Sequence, residues 1–494
     1  MITVSSAQMR ELDRRTIEEA GVPQVVLMDR AGHAVADHIC WLLRAADISH
    51  PFVRFLAGPG NNGGDAIVAA KYLQKRGYRT DLWAFGRQGA KEGPDIHLVS
   101  SEKDWAPGAF IPDVIVDGLL GTGTKGEPRG LIRKAVEWIR DLSGRTLIVA
   151  IDIPTGLDAD TGAAGDTAVC ADLTVTLGAP KTGLLRPEAL ARIGSLEVAD
   201  IGIPEEYFQA LEKPAGPELI CANDLRALFP RRRADAHKGL FGHALLIGGS
   251  PGFSGAISMA ARAALKSGAG LVSAAVQAGI ISGVAPSCPE AMVHAMDRSG
   301  SLLAKCSSVL IGPGMGNNPE NARLVERLLQ TAVVPLVLDA DAINALSGQP
   351  ELIAKAKGPA VITPHPGELA GLLQTTANVI QADRCKACLA AAKRTRAITI
   401  LKGAGTVIAD PAGDLFINLN GNPGMATGGS GDVLAGLLAG LLAQGIGPLD
   451  AAKAAVWIHG KAGDAAALRQ TQTALTAGNI INHLPAAFRC LTPR

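Results

Sequence analysis

Two glycine-rich turns, far apart in the chain, carry side chains able to do chemistry. Gly58-Pro59-Gly60-Asn61-Asn62-Gly63-Gly64-Asp65 sets amide and carboxylate oxygens beside bare backbone. Asn422-Pro423-Gly424-Met425-Ala426-Thr427-Gly428-Gly429-Ser430-Gly431-Asp432 ends in an aspartate at the start of an apolar helix. Free N–H groups at a helix N-terminus hold anions. A carboxylate placed there can accept the proton of an attacking hydroxyl, the task that phosphoryl transfer sets a base. The second turn therefore reads as an anion hole with Asp432 as its base. No Gly-x-x-x-x-Gly-Lys-Ser/Thr occurs, so this is not a P-loop.

Two further loops belong with the first turn. Val116-Asp117-Gly118-Leu119-Leu120-Gly121-Thr122-Gly123-Thr124-Lys125-Gly126-Glu127 puts an acid at a strand end, and Ile151-Asp152-Ile153-Pro154-Thr155 adds another acid and a hydroxyl. The oxygen donors of Asn62, Asp117 and Thr155 suit a hard cation, and a single carboxylate among them favours a monovalent one. Asp152 is then free to act as general base or acid. Gly121 to Gly126 also satisfies G-x-G-x-x-G, but Glu127-Pro128-Arg129-Gly130 delays the helix that a dinucleotide fingerprint requires. Nicotinamide-dependent hydride transfer is thereby a runner-up.

In the second half, Lys402-Gly403-Ala404-Gly405-Thr406 forms a cationic, hydroxyl-bearing turn fit for nucleotide phosphates. Thr363-Pro364-His365-Pro366-Gly367-Glu368 frames a histidine between prolines, and Asp339 and Asp341 could stand in the outer shell of Mg²⁺. The pair Cys385 and Cys388 has no second pair or nearby histidine and reads as part of a helix interior.

Short β-rich runs alternating with helical stretches position these loops. After helices through Ala7 to Glu19 and Val25 to Leu43, strands are expected at Val53–Ala57, Thr80–Phe85, Val114–Val116, Leu147–Ile151 and Leu173–Leu177. Helices are expected at Asp65–Arg76 and Gly130–Leu142. A second set follows at Ala244–Gly248, Leu271–Val276, Ser308–Ile311, Leu336–Leu338, Ala360–Ile362 and Ile398–Ile400. A hairpin, Val407–Ala409 and Leu415–Ile417, and the helices Gly431–Gly445, Leu449–Arg469 and Thr473–His483 complete it. Such alternation predicts α/β domains whose loops converge outside the carboxyl ends of parallel strands. A polar, proline-containing linker is expected over Gln209 to Pro217.

At 494 residues the chain is long enough for roughly two to four domains. Its 47 basic and 46 acidic residues leave a net charge of +1, so small-molecule partners are expected and nucleic acid is not. The longest apolar run, Leu434 to Ala443, is about half of what a membrane span needs, so no membrane partner is expected. Met1 to Val4 leads into a polar stretch without a signal-like apolar core, which points to the cytoplasm.

Taken in order, Asn61–Asp65, Val116–Glu127, Asp152–Gly156, His237-Lys238-Gly239, Gly312–Gly316, Thr363–Glu368, Lys402–Thr406 and Asn422–Asp432 resemble the bifunctional NAD(P)H-hydrate repair enzymes over nearly the whole chain. The resemblance implies an N-terminal epimerase domain over residues 1–212, a Rossmann-like three-layer α/β/α fold. It also implies an ADP-dependent dehydratase domain of ribokinase-like α/β fold over 220–494. The epimerase would interconvert R and S hydrates of NADH or NADPH, binding them through Asn61, Asn62, Gly63, Gly64, Asp65, Gly121, Thr122, Gly123, Thr124, Lys125, Gly126, Glu127 and Asp152. Asn62, Asp117 and Thr155 would hold K⁺, with Asp152 catalytic.

The dehydratase would take the S hydrate through Ala256, Gly316, His365 and Asp432. It would hold ADP, its co-substrate, through Lys402, Gly403, Ala404, Gly405, Thr406 and Gly431, using Mg²⁺. Asp432 becomes its catalytic base. Ala66 stands where the family commonly has glycine, which should restrict the backbone slightly. A homo-oligomer is expected. The alternatives are a ribokinase-like small-molecule kinase and an N-terminal half that only senses nucleotides.

Overall fold

The structure, a computed structural model, describes residues 1–86, 95–108, 110–211 and 214–492. The chain divides into two compact units, Met1–Glu218 and Leu219–Arg494. The expected linker includes residues 212 and 213, and the expected end of the first domain falls at 212; both positions lie outside the described residues.

In the first unit, helices α1 (Ser6–Glu18) and α2 (Gln24–Ala45) precede β1 (Phe52–Ala57), α3 (Asn61–Lys75), β2 (Arg79–Phe85), β3 (Asp95–Val99), β4 (Val114–Gly118), α4 (Gly130–Asp141), β5 (Leu147–Ile151), β6 (Leu173–Leu177) and β7 (Ser195–Ala199). The seven strands form one parallel sheet in the order β3-β2-β1-β4-β5-β6-β7. Alternate residues enter two cores. Phe55, Val116 and Ile151 pack on one face, and Leu56, Ile115 and Ile148 pack on the other. A sheet buried on both sides needs near-continuous apolar runs, as these central strands have.

Strand order reverses between β1 and β4, so a crevice opens outside their carboxyl ends. The two loops there touch. A Cβ on Gly58 would stand 1.7 Å from the Leu119 carbonyl oxygen, a separation no atom pair tolerates. Gly58→Ala is therefore expected to destabilise this unit by about 1–3 kcal/mol through overpacking, measurable by urea unfolding. The helix after β1 begins at Asn61 rather than near Asp65, which buries Gly63 and Gly64 within its first turn. Ala66 lies inside that helix with ordinary helical backbone, so it imposes no restriction.

The second unit holds a ten-stranded sheet. Its strands are β8 (Glu218–Leu219), β9 (His243–Ile247), β10 (Leu271–Val276), β11 (Met292–Ala295), β12 (Ser308–Ile311), β13 (Leu336–Leu338), β14 (Ala360–Ile362), β15 (Ile398–Leu401), β16 (Thr406–Ala409) and β17 (Leu415–Asn418). Their order is β11-β10-β9-β12-β13-β14-β15-β16-β17-β8, with β11 to β15 parallel and the hairpin β15-β16-β17 antiparallel. Helix Ser430–Ala443 is buried from Val433 to Ala443 and packs on helix Ser254–Lys266. The last helix runs over Ala477–Arg489, later than expected. Thr476 caps it together with Asn479, and Pro485 is accommodated inside it. Among the described residues no helix is long and apolar enough to cross a membrane.

Candidate functional site

The crevice of the first unit opens into a cavity of about 510 Å³, reached by residues from α1, α2, the β1–α3 turn, the loop after β4 and the ends of β5 and β6. Asn61, Asn62 and Asp65 line it, as do Gly121, Thr122, Gly123, Thr124 and Asp152. A smaller cavity of about 290 Å³ shares Gly121 and Thr124 and is bounded by Gly126 and Glu127. The Glu127 carboxylate accepts from Thr167 Oγ1 (2.7 Å) and the Asp166 N–H (3.2 Å), and these bonds lower its pKa. Lys125 lines neither cavity.

Asn62, Asp117 and Thr155 meet beneath the loop that follows β4. Thr155 donates to Asp117 through its N–H (2.8 Å) and its Oγ1 (2.7 Å), and accepts from the Leu120 N–H (3.0 Å). Asn62 Nδ2 donates to the Leu120 carbonyl at 2.9 Å. Asn62 Oδ1 is buried without a hydrogen-bond partner. Asp117 is wholly buried, and desolvation lifts its pKa to about 6 against the hydrogen bonds from Thr155. Among the described residues no cationic side chain pairs with it. An orphaned amide oxygen beside a buried carboxylate is a donor set that fits a hard, singly charged cation.

At the end of β5, Asp152 adopts a left-handed backbone, φ 63°, which Asp and Asn tolerate better than most residues. Its Oδ1 accepts from Thr176 Oγ1 (3.1 Å), the Leu177 N–H (3.1 Å) and the Lys181 ammonium. Lys181 is 1% exposed and also donates to the Leu177 carbonyl at 2.8 Å. Sequence reasoning missed Lys181. A lone lysine in the small-residue turn Gly178–Gly183, directly after a strand, was its available signal. It likewise missed Asp13 on α1, which burial pushes up to about 6.

In the second unit the sheet reverses between β9 and β12, and the loops there join: Gly249 N–H donates to the Pro313 carbonyl (2.8 Å) and Ser250 Oγ to that of Gly314 (2.9 Å). Ala256 lies in the first turn of helix Ser254–Lys266, close to Gly314. Gly316 donates its N–H to Asp341 Oδ2 at 2.9 Å. His365 caps helix Pro366–Leu373: its Nδ1 accepts from the Gly367 and Glu368 N–H groups, and Nε2 lies 3.3 Å from Glu368 Oε1.

Lys402 Nζ donates to Asp339 Oδ1 at 2.7 Å and lies 3.7 Å from Glu368 Oε2. It would also stand 3.4 Å from a Cβ on Gly431, which brings the Lys402–Thr406 turn against the start of helix Ser430–Ala443. Burial works against the ammonium, yet Asp339 and Glu368 outweigh it and raise its pKa. Asp339 is also fixed by Thr363 Oγ1 at 2.6 Å. Arg384, absent from the sequence reading, ties the turn down through the Leu401 and Lys402 carbonyls at 3.0 and 3.2 Å.

Asp432 sits in the first turn of that helix, and burial, followed by the charge of Asp339, lifts its pKa to about 7. It is a carboxyl tuned to exchange a proton near neutrality. Half-buried His459 lies with Nε2 3.4 Å from Ser430 Oγ, and desolvation pushes its pKa down to about 4. Cys388, within helix Arg384–Thr395, donates to the Thr399 carbonyl at 3.3 Å; burial pushes its thiol up to about 12.

Two family models match the chain. One, described as YjeF-related protein N-terminus, covers residues 24–183; the other, described as NAD(P)H-hydrate dehydratase, covers 244–486. The bifunctional NAD(P)H-hydrate repair enzyme Nnr of Moorella thermoacetica is 40% identical over 99% of this chain and 97% of its own length. Its counterpart in Escherichia coli is 35% identical over 96% and 92%. Among solved structures, the ADP/ATP-dependent NAD(P)H-hydrate dehydratase of Bacillus subtilis, co-crystallised with ATP and Mg²⁺, is 30% identical. It has a TM-score of 0.51 and covers 56% of this chain and 98% of its own.

Proposed function

The chain belongs to the bifunctional NAD(P)H-hydrate repair enzymes, and from that premise we propose how its two sites divide the work. The first unit, over residues 1–212, epimerises the hydrate in the cavity beside Asp152. The second, ribokinase-like unit, over 220–494, phosphorylates the S hydrate with ADP and expels phosphate to restore NADH or NADPH. Asp432 carries this reading. It is a half-buried carboxyl poised near pH 7 at a helix N-terminus, with an ammonium alongside.

In the dehydratase, Asp432 removes the proton from the hydrate hydroxyl, which attacks the terminal phosphoryl of ADP and displaces AMP. The C–O bond then breaks as the ring nitrogen donates its electron pair; phosphate departs, and loss of a ring proton restores the double bond. The N–H groups over Gly428 to Gly431 stabilise the transferring phosphoryl group. Ala256, Gly316 and His365 frame the hydrate, and Lys402 to Thr406 with Gly431 hold the nucleotide. Among the described residues no three His, Cys, Asp or Glu side chains gather into a group that could hold a divalent ion on its own. Mg²⁺ would therefore arrive on the nucleotide phosphates, as that ion usually does, with Asp339 and Asp341 behind it.

In the epimerase, Asn61 to Asp65 and Gly121 to Glu127 cradle the hydrate. Asn62, Asp117 and Thr155 would hold K⁺, which supplies positive charge beneath the loop that contacts the substrate. Thermal stability of the first unit is expected to rise with K⁺, and Asn62→Ala to raise the K⁺ concentration at which epimerisation saturates without slowing dehydration of pure S hydrate. Equal K⁺ response in that variant would remove Asn62 from the site.

The direct test gives the full chain a mixture of R and S hydrates with ADP, Mg²⁺ and K⁺. Complete conversion to the reduced dinucleotide with one phosphate released per turnover is expected. Neither epimer consumed would refute the reading, and a stable phosphorylated product would favour a kinase.

A further inference from the structure

We propose that Asp13 of α1 is the second proton-transfer group of the epimerase cavity, working on the bound ring together with Asp152; this rests on the epimerase reading of the first unit. Inverting a carbon that bears a hydroxyl and a ring nitrogen requires the oxygen to leave one face and water to return to the other. Departure needs an acid and return needs a base. Because the reaction runs both ways through the same intermediates, the two groups exchange roles with direction. A single carboxyl leaves that set incomplete.

Five charged side chains line the cavity: Arg10, Asp13, Asp65, Asp152 and Lys181. Lys181 is occupied by Asp152, Thr176 and the Leu177 carbonyl. Asp65 already has a partner. Asp152 takes all its hydrogen bonds on Oδ1, leaving Oδ2 for a ligand. Asp13 has no hydrogen bond or ion pair among the described residues, though it is largely buried and feels the charges of Lys181 and Asp152. An unpartnered carboxyl withdrawn from water is costly to keep.

Its placement is built in. A Ser5–Gln8 capping box starts α1. Just before it, Val4 bridges the Lys181 segment through Val4 N–H to the Pro180 carbonyl and Thr182 N–H to that of Val4, each 3.0 Å. The segment that carries Lys181 thus fixes the helix that carries Asp13.

In the step, the Asp13 carboxyl gives its proton to the ring hydroxyl and the C–O bond breaks, both electrons leaving with water. The nitrogen lone pair forms a C=N bond, giving a planar cation. Water adds from the opposite face and its proton passes to the Asp152 carboxylate. One proton is spent and one recovered, and the reverse reaction begins with the proton on Asp152. Burial lifts Asp13 to about 6, so the form that donates is depleted above that pH and the rate should decline there.

The test follows pure R hydrate on the full chain without ADP, resolving epimers by chromatography. For Asp13→Asn, kcat for epimerisation is expected to fall about 100-fold or more with KM changed by no more than about threefold, and dehydration of pure S hydrate to be unchanged. For Asp13→Glu, a measurable rate with a displaced high-pH limb is expected. An Asn variant epimerising within about threefold of wild type, against the 100-fold expected of a lost acid, would overturn the proposal. So would an unmoved limb in the Glu variant, which decides the matter if the Asn variant does not fold. Wild-type protein that leaves R hydrate unchanged would overturn the epimerase reading and this proposal with it.

Discussion

Asp432→Asn is expected to lower kcat for dehydration by about 10³-fold or more, while R and S hydrates continue to interconvert on the same chain. The substitution keeps the size and planar shape of the side chain, while replacing an acceptor oxygen with an NH₂ donor and removing both the negative charge and the capacity to take up a proton. The neighbours that set this capacity are Asp339, Lys402, Asp341 and Glu368. Burial and the surrounding acids lift Asp432 to about 7, so its basic form fills in as pH rises through neutrality. The wild-type dehydration rate should accordingly climb with a midpoint near 7 and level off above it, and the residual rate of the Asn variant should lose that limb. A flat wild-type profile across this range, or dehydration retained in the variant, would remove Asp432 as base.

A carboxyl whose folded pKa exceeds its unfolded value favours folding least when ionised. Above pH 7 both states are ionised and the folded state carries the full cost of the desolvated charge, whereas at pH 4 the folded carboxyl is protonated and the unfolded one is only partly ionised, so little of that cost remains. Asp432→Asn should thus raise the thermal midpoint of the second unit at pH 8 and leave it nearly unchanged at pH 4. That measurement separates a tuned base from a residue kept for structure, because loss of a structural residue would lower the midpoint.

The central strands were legible in the sequence because both of their faces are buried. Runs such as Leu147–Ile151 and Ser308–Ile311 occur where expected. The strands the sequence did not disclose, β3, β7, β8 and β11, are the four sheet edges. An edge strand needs only one apolar side. Asp95-Ile96-His97-Leu98-Val99 is half exposed and lacks the continuous apolar signal of a buried strand. The same physics separates the residues found in the sites from those missed. Asn62, Asp117 and Asp152 follow strands and belong to loops that a parallel sheet must bring together. Asp13 comes from a helix that packs beside them, and Lys181 from a turn whose position depends on the Val4 bridge. Arg384, too, reaches the Lys402–Thr406 turn from the start of the preceding helix, and nothing in its local sequence marks it.

Asp152→Asn is expected to abolish epimerisation, so that repair of a mixed hydrate pool with ADP stalls with the R form left over while wild type consumes both. Asn is the informative replacement because residue 152 has φ 63°, a conformation Asn tolerates and Ala does not, so backbone strain is kept out of the comparison. The same change strips Lys181 of its counter-charge. Lys181 is 1% exposed, and a buried ion pair broken on one side typically costs about 3–5 kcal/mol. The single variant is therefore expected to lose stability in urea as well as activity, which alone would not distinguish chemistry from unfolding. The double variant Asp152→Asn/Lys181→Met removes the stranded ammonium and should recover much of that stability. Epimerisation should remain absent, because the carboxylate that moves the proton is still missing. If the double variant regained epimerisation along with its stability, Asp152 would be a partner for Lys181 and nothing more; if it regains stability alone, the two roles of this carboxylate come apart, with Oδ1 holding the lysine and Oδ2 serving the substrate.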